Sequence, residues 1–233
     1  MKQRGILLAI LISLILQSSD VNLSVALDKS KEDVKKETSK TKKKVKSLKV
    51  SNNSQLYGTY IDELKEKIYK KAKKTSNTVT REMVDLAFEV ANDRTDVDDS
   101  LKEYFRITAI HLAIMEIESN FNNDVINHNS TTNDYGIMQV NSMVIEHAME
   151  GLEDNTLNVL DLKDNVQMGS WEIYECYQKA KEKHPDNVVW WFYAYYNRGL
   201  YFENYDWDYN DANKRSKKFI KVYKKYFRIL YNE

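Results

Sequence analysis

The sequence predicts one mainly α-helical domain over residues 55–233, behind an apolar leader and a basic stalk. Three observations lead there. The 233 residues contain only one Pro and six Gly, so long segments are free to be helical. Apolar residues recur at helical spacing in run after run. A chain of this length can bury a sizeable core within a single domain. Little or no β-structure is expected, and then only near the loop that follows Phe121.

Residues 1–26 have the three parts of a secretory signal. Lys2 and Arg4 form the charged start, and residues 6–16 are an unbroken apolar or small run, too short to span a bilayer. Ser24-Val25-Ala26 then supplies small residues for cleavage, so the mature chain is expected to begin at Leu27. An uncleaved membrane anchor or a buried core helix is the alternative, and membrane association is expected only if the leader is kept. Lipid attachment is excluded because no Cys follows the run. Residues 27–54 carry ten Lys against four Asp and Glu, about +6, with few apolar residues. Such a stretch cannot bury enough surface to offset its ordering entropy, and it reads as a disordered stalk. With the formal charge of the whole chain at zero and about +1 on residues 1–26, residues 55–233 carry about −7. An acidic domain on a basic stalk without interleaved aromatics is not a nucleic-acid-binding pattern.

Within the domain, residues 56–74 read as an amphipathic helix on Tyr60, Leu64, Ile68 and Ala72. Residues 80–92 read as a second, capped by Thr80, with Met83, Leu86, Ala87 and Val90 as its stripe. A third begins near Ser100, after the acidic run Asp96–Asp99, which suits a helix N-terminus electrostatically. Its stripe is Ile107, Ile110, Ile114 and Ile117. Glu118 lies four residues after Ile114, at the edge of that face, whereas Glu116 points roughly 160° away. A half-buried carboxyl resists ionisation, which is how a Glu becomes a general acid near neutral pH. Residues 121–134 are rich in Asn and read as loop, and Gly136 as a turn or a point of close backbone approach. A short helix follows over residues 144–149 and a longer one over 165–181, with Val166, Gly169, Ile173, Cys176 and Tyr177 on its inner side. Residues 188–199 are dense in aromatics, a pattern that by itself means core. Residues 214–231 form a last helix with Phe219, Val222, Tyr226 and Ile229 or Leu230 inward. Asn210 or Asp211 is its expected cap.

Neither a metal nor a cofactor is implied. Asp206, Asp208 and Asn210 open like a calcium loop, but the sixth position is Asp211 rather than Gly and the twelfth is Lys217 rather than Glu. The four histidines, His111, His128, His147 and His184, have no metal-ligand spacing. The lone Cys176 excludes an internal disulfide and reads as a buried thiol.

Three runs carry chemistry: Glu118-Ser119-Asn120-Phe121, Gly136-Ile137-Met138-Gln139-Val140 and Ala194-Tyr195-Tyr196-Asn197-Arg198-Gly199. In this order and at these separations they resemble the catalytic core of the soluble-type lytic transglycosylases, which share the lysozyme-like fold. Asn165-Val166-Gln167-Met168-Gly169 matches a helix opening of the same family. The resemblance covers residues 100–205, with Arg198 where the family commonly has a small residue. The loop ending Asn133-Asp134-Tyr135-Gly136 is most similar to specialised members that accompany secretion and conjugation systems, which implies such machinery as a partner.

The resemblance implies cleavage of peptidoglycan between MurNAc and GlcNAc, with a 1,6-anhydro product. Glu118 would be the only catalytic carboxyl, acid first and base second. Ser119 would hold the acid or the substrate, Met138 and Gln139 would line the cleft, and Tyr196 and Asn197 would close its other wall, the Tyr hydroxyl orienting Glu118. An extracytoplasmic, cell-wall location follows. Two rivals stand beside this reading: a hydrolytic muramidase with Asp134 as second carboxylate, and a non-catalytic wall-binding or secretion-assembly protein.

Overall fold

The computed structural model describes residues 58–95, 101–199 and 209–231, and of residues 209–212 only the backbone. The expected leader and stalk, the acidic run Asp96–Asp99, and Asp206 and Asp208 lie outside the described residues. The described chain is mainly helical: α1 (residues 58–72), α2 (Arg81–Asp93), α3 (Leu101–Ser119), α4 (Ile145–Leu152), α5 (Leu162–Lys183), α6 (Val188–Arg198) and α7 (Tyr209–Tyr231). A 3₁₀ turn, Pro185–Asn187, joins α5 to α6.

α3 is the central helix. Its residues 107–115 are buried around the whole circumference, not along one stripe. A helix apolar on all sides belongs inside, and α2 and α7 pack against this one. α5 supports the other half, touching α6, α4, α2 and the sheet. Thr80 caps α2 as expected: its hydroxyl accepts from the Met83 N–H at 3.2 Å. α5 starts three residues before Asn165, because the Asp161 carboxylate accepts from the N–H groups of Lys163 and Asp164. The inward stripe of α7 is Ser216, Phe219, Tyr223, Tyr226 and Leu230, with Val222 only half-buried. α7 begins at Tyr209, so Asn210 and Asp211 fall within its first turn and are not its cap.

The stretch 121–134 is less irregular than its composition suggests. It holds β1 (Ile126–His128) and the start of β2 (Asn133–Tyr135), and with β3 (Val140–Asn141) they form a three-stranded antiparallel sheet. Ile126 pairs with Tyr135 and His128 with Asn133, and β2 pairs Asp134 with Asn141. The Asn residues act at its turn. The Asn129 N–H donates to the Thr132 carbonyl at 2.8 Å, and Asn133 Oδ1 meets the His128 ring at 2.8 Å. Turn-forming residues thus close a hairpin here.

Among the described residues no helix is long and apolar enough to cross a membrane.

Candidate active site

Glu118 stands on the last turn of α3, and the surroundings of that helix end fix its position. Asn120 and Phe121 both take left-handed backbone, with φ of 55° and 59°. Each such non-Gly residue costs on the order of 1 kcal/mol. Two features offset this. Phe121 is fully buried, and the Asn120 carbonyl accepts from the hydroxyls of both Ser76 and Thr78 at 2.7 Å. The loop between α1 and α2 therefore clamps the end of the acid's helix.

Ser119 fastens the same turn from the other side. Its hydroxyl is shared between the carbonyls of Met115 at 2.9 Å and Ile137 at 2.8 Å. Ser119 is buried and committed to backbone, so it joins α3 to the Gly136–Val140 turn. In that turn Gly136 has φ of 71°, and a Cβ there would lie 2.4 Å from Asn165 Nδ2. Both readings of Gly136 hold, the turn and the close approach. The Asn165 side chain explains the constraint: it accepts from the Met138 N–H at 2.9 Å and donates to the carbonyls of Tyr135 at 2.9 Å and Val159 at 2.8 Å.

Met138 and Gln139 are turned to the loop itself. Met138 is fully buried and packs against Gly169 of α5, where a Cβ would come within 2.6 Å of Met138 Cβ. The Gln139 amide donates to the carbonyls of Gly136 at 2.7 Å and Val125 at 3.2 Å, and its oxygen accepts from Asn127 Nδ2 at 2.6 Å. Both residues brace the turn in the form described.

The orienting tyrosine differs from the expected one. The Tyr196 hydroxyl donates to the Met138 carbonyl at 2.7 Å, not to Glu118. Tyr193, one turn earlier on α6, donates to Glu118 Oε1 at 3.0 Å. Helical geometry explains the exchange: Tyr193 and Asn197 are four apart and share a face, whereas Tyr196 is rotated roughly 60° from it. Asn197 is half-buried on the Tyr193 face. Tyr193 is itself held by Phe219, their rings stacked 4.4 Å apart.

The Glu118 carboxyl is half-buried, and burial raises its pKa above the usual carboxylate range. The Tyr193 hydrogen bond opposes that shift, as do Arg215 and Lys218 of α7, while Asp134 adds to it. Asp134 sits on β2 with its oxygens held by Asn141 Nδ2 at 2.6 Å and Asn129 Nδ2 at 2.9 Å. A second acid nearby escaped the motif reading. Glu172 of α5 is half-buried, and its carboxyl is pushed up to about 8 by desolvation first and then by Asp134 and Glu118. Only its helical spacing from Asn165 marks it in the sequence. Glu116 points away from this group, as its spacing required, toward Lys225 and Tyr226 of α7.

A cavity of about 280 Å³ lies elsewhere, among Val90, Arg94, Leu152, Leu157 and Ser170, and of the motif residues only Gln167 lines it.

Residues 102–220 match the family model for the transglycosylase SLT domain, which is more than half of the chain. The chain belongs to the transglycosylase SLT domain family. No curated protein and no solved structure shows significant similarity to it. The match runs from the first turns of α3 to α7, so the SLT domain takes in Glu118, the Gly136–Val140 turn, α5 and the Tyr193–Asn197 face together. The mainly α, lysozyme-like class expected from the motifs agrees with the helical architecture of this SLT domain. Membership makes the protein a transglycosylase in kind, with peptidoglycan as its substrate class.

Proposed function

We propose that the protein is an exported lytic transglycosylase that cleaves the MurNAc–GlcNAc β-1,4 bond and leaves a 1,6-anhydro-MurNAc end, with Glu118 as acid and then base. The observation that carries this is the setting of Glu118: a half-buried carboxyl with a raised pKa, held by one tyrosine hydroxyl at the end of a clamped helix. In the first step the carboxyl gives its proton to the glycosidic oxygen as the C1–O bond breaks, releasing the GlcNAc 4-hydroxyl. The substrate's own acetamido oxygen supports the anomeric carbon. In the second step the carboxylate takes the proton of the muramoyl 6-hydroxyl while that oxygen bonds to C1. No water is consumed, and Glu118 ends protonated as it began. The second step is intramolecular, so correct positioning supplies much of its rate.

In this reading the glycan lies along the Tyr193–Asn197 face. Asn197 is its direct polar contact, and Ser119, Met138, Gln139 and Tyr196 shape the wall behind it. Export rests on the three-part leader, with cleavage before Leu27 and the basic stalk as spacer at the wall. Service to a secretion or conjugation system rests on the similarity of the loop around Asn133 and Asp134 to the specialised members.

Asp134 favours a second reading. Its position, held by two Asn amides and near enough to influence Glu118, suits a carboxylate that activates water. The protein would then be a muramidase.

The test is Glu118→Gln, which keeps shape and hydrogen bonding but cannot exchange a proton. It is expected to abolish release of soluble fragments from purified sacculi, with an unchanged circular-dichroism spectrum and retained sacculus binding. Cleavage at the wild-type rate would remove the proposal.

A further inference from the structure

Glu172 has no part in the motifs or in the reaction above, yet it stands beside both. It lies seven residues after Asn165, which brings it back to within roughly 20° of the same face of α5, two turns on. That face is pressed against the Gly136–Val140 turn, through Asn165 at one end and through Gly169 under Met138 in the middle. Glu172 is the next side chain along this contact. It feels the charges of Asp134 and Glu118, and the Tyr196 hydroxyl feels its own, so groups from the sheet, α3 and α6 lie near it. Cys176, one turn further on its own helix, feels it as well.

Among the described residues no group hydrogen-bonds to this carboxyl and no cation pairs with it, although it is half-buried. The cations on that side, Arg215 and Lys218, act on Glu118. A partly buried carboxyl facing two other acids is a poor structural element, since an apolar side chain of the same size would serve better there. It makes sense as a group that meets something brought in from solvent. A neutral carboxyl has one O–H to donate, and the groups around it favour the neutral form: Asp134 and Glu118 repel its charge, and the protein around it displaces water. An N-acetylated sugar presents a matching acceptor in its acetamido carbonyl.

We propose that Glu172 is a glycan-binding residue of this site, donating a hydrogen bond to an acetamido carbonyl of a sugar bound against Glu118. The inference rests on the transglycosylase reading. It predicts that glycan affinity falls as Glu172 loses its proton.

The experiment uses the full chain carrying Glu118→Gln, which binds without cutting, titrated calorimetrically with an N-acetylglucosamine hexamer from pH 5.5 to 9. Adding Glu172→Leu is expected to weaken binding at least tenfold at pH 6, with a melting temperature equal to or above that of its parent. Adding Glu172→Gln, which still offers N–H donors, is expected to keep most of the affinity and to flatten the decline that the parent shows at alkaline pH. Equal affinities for all three proteins, or a decline that survives Glu172→Gln, would overturn the assignment and leave the transglycosylase reading standing. Absence of binding by the Glu118→Gln parent itself would overturn both. Should Glu172→Leu not fold, the pH profile of Glu172→Gln decides alone.

Discussion

The hydroxyl of Tyr193 donates to Oε1 of Glu118 across 3.0 Å and links the last turn of α3 to the middle of α6. The same hydroxyl stabilises the carboxylate form more than the acid, which is why it opposes the effect of burial.

Tyr193→Phe keeps the stack on Phe219 and removes only this bond. A hydrogen bond to a charged group is worth about 1.5–3 kcal/mol, so kcat/KM should fall by roughly 10- to 100-fold. The sign of the pH effect is fixed as well. Without the bond the Glu118 pKa rises further, so the alkaline limb of the kcat/KM profile should move to higher pH. A rate profile over pH 4–9 checks both, and a limb that moves to lower pH would contradict the arrangement.

Glu116 makes the complementary case. Its partners are Lys225 and Tyr226 on α7, and both ends of the ion pair are largely buried, with side-chain exposures of 20% for Lys225 and 14% for Glu116. Glu116→Gln should therefore cost stability and not chemistry. We expect a loss of about 1–3 kcal/mol in denaturant unfolding, below the range for fully buried pairs, with kcat within about twofold of wild type.

Gly136→Ala tests the joint between the turn and α5. The new Cβ meets the Asn165 amide at a positive φ, so both the backbone and the three Asn165 hydrogen bonds are disturbed. Strain of this kind costs on the order of 1–3 kcal/mol. The melting temperature should drop by several degrees, and activity should fall more than the unfolded fraction alone explains. An alanine variant with wild-type stability would show that the turn has freedom which this packing denies.

The sequence carried much of this arrangement. Helical spacing sufficed for α1, α2 and α5 because each buries a defined face. Glu118 was legible because a carboxylate at the edge of an apolar run is uncommon and the motif around it is local. Other parts depend on distant contacts. The all-round burial of α3 follows from two helices that pack on it, and no stripe reports that. The hairpin over Ile126–Tyr135 is written in Asn residues that equally well make loops. Tyr193 was one aromatic among six, and only its face relative to Asn197 separates it from Tyr196. Glu172 looks like any helix-surface glutamate until the Gly136–Val140 turn is laid against α5.

The central claim is that Glu118 serves as both acid and base with no water consumed, and the chemistry of the new glycan end tests it most directly. Products released from purified peptidoglycan by the wild-type protein are to be weighed by mass spectrometry before and after borohydride treatment. The account predicts muramoyl ends lighter by one water than hydrolysed ends, unchanged by borohydride, and absent with Glu118→Gln. Reducible ends of full mass would contradict it and would make Asp134 the first residue to test as a second carboxylate.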